Sequence, residues 1–398
     1  MKRLMQNKKL GVWRASFFRN YYSIFALVIF CGFVAGLILG CSSQNTEGSE
    51  DSVEWEEFAS PQIPFDPKTY VIYKTDQPIQ VDGTIDEEIW QRAHWTDDFM
   101  PMDGSDAEPK HRTRVKLLWD EDYLYVAAEL EEDDIWGTMT ERNAPLYLDN
   151  AFEIFVDPNG DTHDYVEFEI NALGTIWDLF LTKPYRNGAQ ILSNWNLLDY
   201  KSAVSLDGEI NNPEDTDQGW TTEYAIPMDA LLEVAPGSQS IASGDQWKMN
   251  FARAQRRLEV ADGKYQLEQD PNTGRPYGPD FTVWSPQGLN NIHYPEMWGT
   301  VQFSEQIAVE GTENFNRDPN ERVKWALRQV YYRMREYYLN HGVYTDDAST
   351  LGIDDIKIEG LEFDPNIEVT TTMFEVSTSG FDGESAWHIR QDGKVWNN

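Results

Sequence analysis

Tyr147–Asn171, YLDNAFEIFVDPNGDTHDYVEFEIN, reads as two strands joined by a polar turn. Phe152, Ile154 and Val156 alternate with Glu153 and Phe155, and Val166, Phe168 and Ile170 alternate with Glu167, Glu169 and Asn171. Side chains of a strand point alternately to the two sheet faces, so the apolar sets share one face and a core. Glu153, Glu167, Glu169 and Asn171 are left together on the other. Like charges side by side on a sheet face repel; they need water, a cation, or a ligand as rich in hydroxyl donors as a sugar. A plain solvated face is the competing reading.

The same short-strand pattern extends outward. Strands are expected at Tyr70–Tyr73, Arg114–Trp119, Tyr123–Glu131, Phe152–Asp157, Tyr165–Asn171 and Thr175–Thr182, then at Lys201–Ser205, Trp220–Ile226, Trp247–Arg253, Phe281–Trp284 and Thr300–Phe303. Asp120-Glu121-Asp122 makes a tight hairpin turn between two of them. Only short helices interrupt, near Asp86–Gln91 and Met228–Leu232. Crossovers between parallel strands need longer helices, so the pattern predicts a mainly β protein, an antiparallel sandwich of jelly-roll type.

The tail changes period. Asp318-Pro319-Asn320-Glu321 combines an N-cap, a first-turn proline and a capping-box glutamate. Val323, Leu327, Val330, Met334 and Tyr337 then recur at helical spacing, and Gly342 supplies the stop. Ile356–Phe363, Val369–Val376 and Ala386–Ile389 read as strands, with Asp392-Gly393 as a turn. Residues 306–398 are thus a small C-terminal helix-plus-sheet (α+β) module beside a sandwich at 70–305.

The first 40 residues read as an address. Lys2, Arg3, Lys8, Lys9, Arg14 and Arg19 precede the apolar run Ile24–Leu39, and Ile38-Leu39-Gly40-Cys41 follows the pattern of a bacterial lipobox. Cleavage there makes Cys41 the lipidated first residue; an uncleaved membrane anchor is the alternative. Either route puts the rest outside the cytoplasm, in the cell envelope and most naturally at the outer membrane. Residues 41–69 are polar and acidic, a flexible tether. Without the leader, 26 Lys plus Arg face 68 Asp plus Glu, a net charge of −42. Nucleic acid and bare anionic membrane both need basic patches and are excluded as partners. Neutral or cationic glycans are favoured over strongly anionic ones. Fifteen Trp and nineteen Tyr supply rings on which sugar C–H faces stack.

Five segments in order carry a family resemblance: Val81–Trp90 (VDGTIDEEIW), Val115–Val126 (VKLLWDEDYLYV), Asn150–Asp157 (NAFEIFVD), Trp220–Pro227, and Pro295–Gly299 (PEMWG). Together they resemble carbohydrate-binding module family 9, in the lipoprotein form of polysaccharide-degrading bacteria, over roughly residues 70–305. The resemblance implies a sandwich that binds sugars between two aromatic side chains, with structural calcium nearby. Tyr147 takes the place of the family's stacking aromatic and Glu153 that of its ligand-bonding glutamate. An arginine of the family falls on Glu169, with Arg142 or Arg253 as substitutes. The second stacking residue belongs to the loop Asn290–Pro295; Asn291 matches, Ile292 or His293 stands at the tryptophan position, and Trp284 or Tyr294 is an alternative ring.

Asp157, Asn159 and Asp161 place oxygens at alternate positions, as calcium loops do, although hairpin turns use the same residues. Trp119, Trp220 and Trp247 are read as core, Trp136, Trp177 and Trp195 as surface. The expected function is non-catalytic glycan binding with no organic cofactor. A glycoside hydrolase using paired carboxylates such as Glu153 and Glu169 is the first alternative. A haem- or metal-binding sandwich is the second, against which the chain has no Cys-x-x-Cys-His and no histidine cluster. The tail is assigned no function beyond docking, including to an outer-membrane protein.

Overall fold

Alternating apolar residues draw the chain into strands wherever one face has a partner to cover it. The computed structural model describes residues 59–193, 195–235, 240–308 and 313–398; the leader, Cys41 and most of the tether lie outside the described residues. In chain order the strands of the first part are β1 (Thr69–Lys74), β2 (Met100–Pro101), β3 (Thr113–Trp119), β4 (Tyr123–Glu131), β5 (Ala151–Asp157), β6 (Tyr165–Asn171), β7 (Ile176–Leu181), β8 (Ile191–Leu192), β9 (Lys201–Asp207) and β10 (Gly219–Pro227). They continue with β11 (Gln246–Gln255), β12 (Leu258–Ala261), β13 (Lys264–Leu267), β14 (Asp280–Val283) and β15 (Gly299–Ile307). Helices α1 (Glu88–Arg92) and α2 (Met228–Glu233) are short, as expected.

The strands hydrogen-bond in the order β8-β7-β6-β5-β11-β15-β1-β3-β4-β10-β9. This curved sheet folds over itself into two layers. Phe152 of β5 meets Tyr224 of β10 across the interior at a 6.4 Å ring separation, and Trp119 of β3 meets Phe303 of β15 at 5.5 Å. Trp119, Trp220 and Trp247 are buried in that core. One departure from a purely antiparallel sandwich is β1, which runs parallel to both β15 and β3 and joins the layers. The hairpin β12–β13 and the small strands β2 and β8 were not expected from sequence. They are only two to four residues long, too short for a period to show.

The segment Val81–Trp90 has a structural reason. Glu223 of β10, within the sheet, accepts the amides of Asp82 and Gly83 and the indole N–H of Trp90, at 3.0, 2.9 and 2.8 Å. Gly83 has φ +92°, and a Cβ there would lie 2.5 Å from the Val204 backbone, so only glycine fits. Trp90 and Ile89 then cover the outer face of β1, β3 and β4.

The tail consists of α3 (Asn320–His341) and a four-stranded antiparallel sheet, β16 (Asn366–Val369), β17 (Phe374–Ser379), β18 (Ala386–Arg390) and β19 (Val395–Asn397). The apolar stripe of α3 is buried from Val323 to Met334, and Gly342 ends the helix at φ +71°. Two expectations fail. Ile356–Phe363 forms only a tight bridge between Ile358 and Leu361, and Val369–Val376 is a hairpin bend with β16 on one side and β17 on the other. The capping box fails too. Glu321 instead bonds Lys248 of β11 and Lys324, both at 2.7 Å, because a cation from the sandwich offers more than a backbone amide.

Candidate functional site

The outward face of β5, β6 and β7 is where the sequence expected a solvated or ligand-bearing row of carboxylates. The loop 284–298 folds over it instead. Phe155, Tyr165, Leu179, Leu181, Ile292 and Trp298 make a second apolar cluster there, and the indole N–H of Trp298 closes the loop on the Ile292 carbonyl at 2.7 Å. Glu153, Glu167 and Glu169 are consequently only 2, 5 and 2% exposed. The period-two reading placed them together correctly and missed the lid.

Antiparallel register sets Glu153 directly across from Glu169, and Phe155 across from Glu167. Among the described residues, the groups that act most strongly on the three carboxyls include no cation. Burial pushes all of them up, and repulsion adds to it: Glu167 acts on Glu153, and both act on Glu169. Glu167 is pushed up to about 8, tempered by a hydrogen bond with Glu169. The Tyr147 amide also bonds Glu169. Glu153 Oε1 and Glu169 Oε2 have no hydrogen-bond partner.

Around this acidic floor stand aromatic rings. Tyr147, on a single helical turn at Leu146–Leu148, is 40% exposed and stacks on Trp177 of β7 at 6.4 Å. Tyr185, on the turn Tyr185–Asn187, is 44% exposed and meets His293 edge-on at 4.4 Å. Burial, then Glu167, Glu169, Tyr147 and Glu153, raise the Tyr185 hydroxyl, which places both tyrosines around one set of carboxylates. His293 Nδ1 lies 2.9 Å from the Tyr165 hydroxyl. Burial and the nearby Arg186 lower the ring to about 3, so it is neutral at ordinary pH.

Tyr147, Glu153, Glu169 and His293 are therefore brought together, and Trp177 and Tyr185 join them. Tyr185 was missed, although Pro184-Tyr185-Arg186-Asn187-Gly188 is a turn signal that presents an aromatic ring. Other candidates are elsewhere. Trp284 is 1% exposed and packs on Phe251 in the main core. Arg142 pairs with Asp178 at 2.6 Å and Asn196 at 3.1 Å. Arg253 cannot replace the family's arginine, because Ala252, not Arg253, lies across from Glu153; its side chain points through the sheet to Glu132 at 3.2 Å. Asn291 spends its side-chain oxygen on the His293 amide at 2.9 Å. Asn171 is likewise a turn-former, accepting the amides of Leu173 and Thr175 at 3.1 and 3.0 Å.

Both halves of the site are held from behind. Arg186 donates to the His293 carbonyl at 2.7 Å and to both Glu296 oxygens at 2.6 and 2.9 Å. Glu296 also accepts from Tyr332 of α3, and Arg328 of α3 is 3.8 Å away.

The turn Asp157–Asp161 does not fit a calcium ion. Asp157 accepts the amides of Gly160 and Thr162 at 2.9 and 2.8 Å. Asp161 accepts the His163 amide at 2.7 Å and holds the Lys394 ammonium at 2.9 Å, in the place of a cation. Among the described residues no three His, Cys, Asp or Glu side chains are grouped to hold a metal.

The site thus sets two exposed tyrosines over buried carboxyl groups on a curved two-layer sandwich. Residues 81–244 match the family described as Carbohydrate family 9 binding domain-like. The matched span includes Tyr147, Glu153, Glu169 and Tyr185, but neither the loop 284–298 nor the tail. Among solved structures, a Bacteroides uniformis protein classed provisionally as carbohydrate-binding is 20% identical, covering 60% of this chain and all of its own, with TM-score 0.45. Two structures of a family 9 module from Caldicellulosiruptor kristjanssonii, one with cellotriose and one with glucose, are 17% identical. Each covers 62% of this chain and all of its own, with TM-scores of 0.38 and 0.37. No curated protein matches the chain at a significant level.

Proposed function

We propose that this protein binds carbohydrate without cleaving it, through the face built by Tyr147, Trp177, Tyr185, Glu153 and Glu169. The observation that carries the reading is the pairing of two exposed tyrosines with carboxylate oxygens that have no partner. Rings stack on the apolar face of a sugar, and carboxyl groups exchange hydrogen bonds with its hydroxyls. The family match on the same residues supports it.

Hydrolysis requires an ionised carboxylate and a carboxylic acid that water can reach. Burial raises both Glu153 and Glu169 and keeps them from solvent. We further propose lipid attachment at Cys41 and residence in the cell envelope, supported by the lipobox pattern alone. Metabolic labelling with a fatty-acid analogue tests it, and a Cys41→Ala protein that keeps the label overturns it.

A glycan array read with the wild-type protein and with Tyr147→Ala/Tyr185→Ala tests the binding face. Binding that the double variant loses with its melting temperature unchanged is the expected result. Equal binding by both proteins would move the site elsewhere.

A further inference from the structure

Where β11 leaves the sheet, beside the aromatic face, lies a cleft of about 900 Å³. That is within the range of roughly 300–1,000 Å³ typical of ligand pockets. Its lining includes Arg253, Gln255 and Arg256 from the end of β11, Phe281 and Thr282 from β14, and Met102. Four of these six carry a buried polar atom without a hydrogen-bond partner: Arg253 Nη2, Gln255 Oε1, Arg256 Nε and Thr282 Oγ1. Each such atom costs about 1–3 kcal/mol unless something bonds it, and native proteins keep few of them. Four such atoms on one cleft are open to a partner that bonds them.

The chemistry of the four narrows that partner. Two are N–H donors, one is a carbonyl acceptor, and the hydroxyl does both. An anion would serve only the donors and a cation only the acceptors. Two of the guanidinium groups, moreover, are already matched within the protein. Arg253 Nη2 stands 3.2 Å from Glu132, off hydrogen-bond geometry, and Glu132 also accepts the Trp220 indole and the Gln255 amide, both at 3.0 Å. Arg257 at the rim is paired with Asp280 at 2.7 and 2.8 Å. A neutral ligand with many hydroxyls meets these demands, and the half-buried Phe281 offers apolar surface to its C–H face.

The cleft adjoins the aromatic face. Phe281, on its wall, and Trp177, beneath Tyr147, pack on the same small cluster of Leu146, Ala151 and Ala254. Asn290 on the rim is three residues from His293. We infer that the cleft is a second carbohydrate subsite, which takes further neutral sugar units of a chain whose one unit stacks at Tyr147 and Tyr185. This rests on the carbohydrate reading and extends it from a single sugar to an oligosaccharide.

Crystals of the protein soaked separately in glucose and in cellotriose test the two readings apart. Sugar density in the cleft, with hydroxyls bonded to Gln255 Oε1 or Arg256 Nε, is the expected result. Sugar at Tyr147 with only water in the cleft would overturn the second subsite and keep the first. Sugar in the cleft alone would overturn the aromatic site and leave the cleft as a sugar site of its own, not a second subsite, and sugar in neither would overturn both. In solution, Gln255→Leu should weaken cellotriose about tenfold, the loss of one bond of about 1.4 kcal/mol, and leave glucose unchanged. An unchanged cellotriose affinity in a folded variant would count against the inference.

Discussion

Arg186 and Glu296 lock together behind the candidate site, one guanidinium nitrogen reaching both carboxylate oxygens at 2.6 and 2.9 Å with both side chains buried. Arg186 belongs to the turn that presents Tyr185, and Glu296 to the loop that carries His293. The pair therefore ties the two segments into one rigid wall, and α3 reaches it through Tyr332. The tail acquires a mechanical role: it buttresses the ring-bearing side of the site.

Removing one partner leaves the other charged and buried, which typically costs 3–5 kcal/mol. Glu296→Gln should lower stability by about 3 kcal/mol and weaken glycan binding as Tyr185 loses its support. The pH dependence gives a sharper signature. Burial opposes ionisation of Glu296, but Arg186 and Arg328 outweigh it and hold the carboxyl at about 2, below the ordinary 4.5. A depressed carboxyl stabilises the fold above its unfolded value and loses that contribution as pH falls from about 4.5 towards 2. Urea unfolding at pH 5 and pH 3 should show the gap between wild type and variant shrinking at the lower pH. A gap that stays constant would mean that the pair does not titrate as argued.

Glu167 has the opposite sign. Its carboxyl is raised to about 8 by burial, so the fold is favoured below about 4.5 and loses that advantage as pH rises towards 8. Glu167→Gln removes the titration while keeping the size and a hydrogen-bonding end. The variant should be more stable than wild type at pH 9, by on the order of 2 kcal/mol, and no more stable at pH 5. Equal differences at the two pH values would show that Glu167 is not held protonated.

The two tyrosines should act alike on binding and little on folding, because both rings are largely exposed. An aromatic contact contributes about 0.5–1.5 kcal/mol beyond area burial, so Tyr147→Ala and Tyr185→Ala should each weaken a bound oligosaccharide by roughly three- to tenfold. Calorimetric titration reads the affinity and thermal melting the fold. A variant that binds normally removes that residue from the site.

How far the sequence carries is visible in β5 and β6. Alternation put Phe152, Ile154 and Val156 in the core and Glu153, Glu167 and Glu169 together on the other face, and this holds; the register of Glu153 against Glu169 came only with the structure. Alternation says nothing about what covers the second face, because that depends on the loop 284–298, more than 110 residues further along the chain. The same blindness explains Trp284. A tryptophan near a ligand-loop motif reads as a stacking ring, yet its place at the end of β14 sends it inward against Phe251. Glu321 shows the reverse case: the local motif for a capping box was present, and Lys248, remote in sequence, overrode it. Elements that rest on local period were readable, and contacts between distant segments were not.

The turn after β5 separates a motif from its chemistry in a way that chelation can test. Asp157, Asn159 and Asp161 have the spacing of an oxygen-donor loop, but their acceptor capacity is engaged by the Gly160, Thr162 and His163 amides and by Lys394. A calcium ion bound here would have to displace the Lys394 ammonium, 2.9 Å from Asp161, and break the turn's own bonds. A ligand bound only by the native state raises stability by RT ln(1 + [L]/Kd), about 2.7 kcal/mol at a hundredfold excess over Kd. The expectation is therefore that millimolar calcium and excess chelator give the same melting temperature in wild type. The variant Lys394→Met frees Asp161, and a calcium-dependent rise confined to it would show that the lysine stands in for the metal. A rise already present in wild type would show instead that the turn binds calcium beside Lys394, and that the hydrogen-bond argument fails.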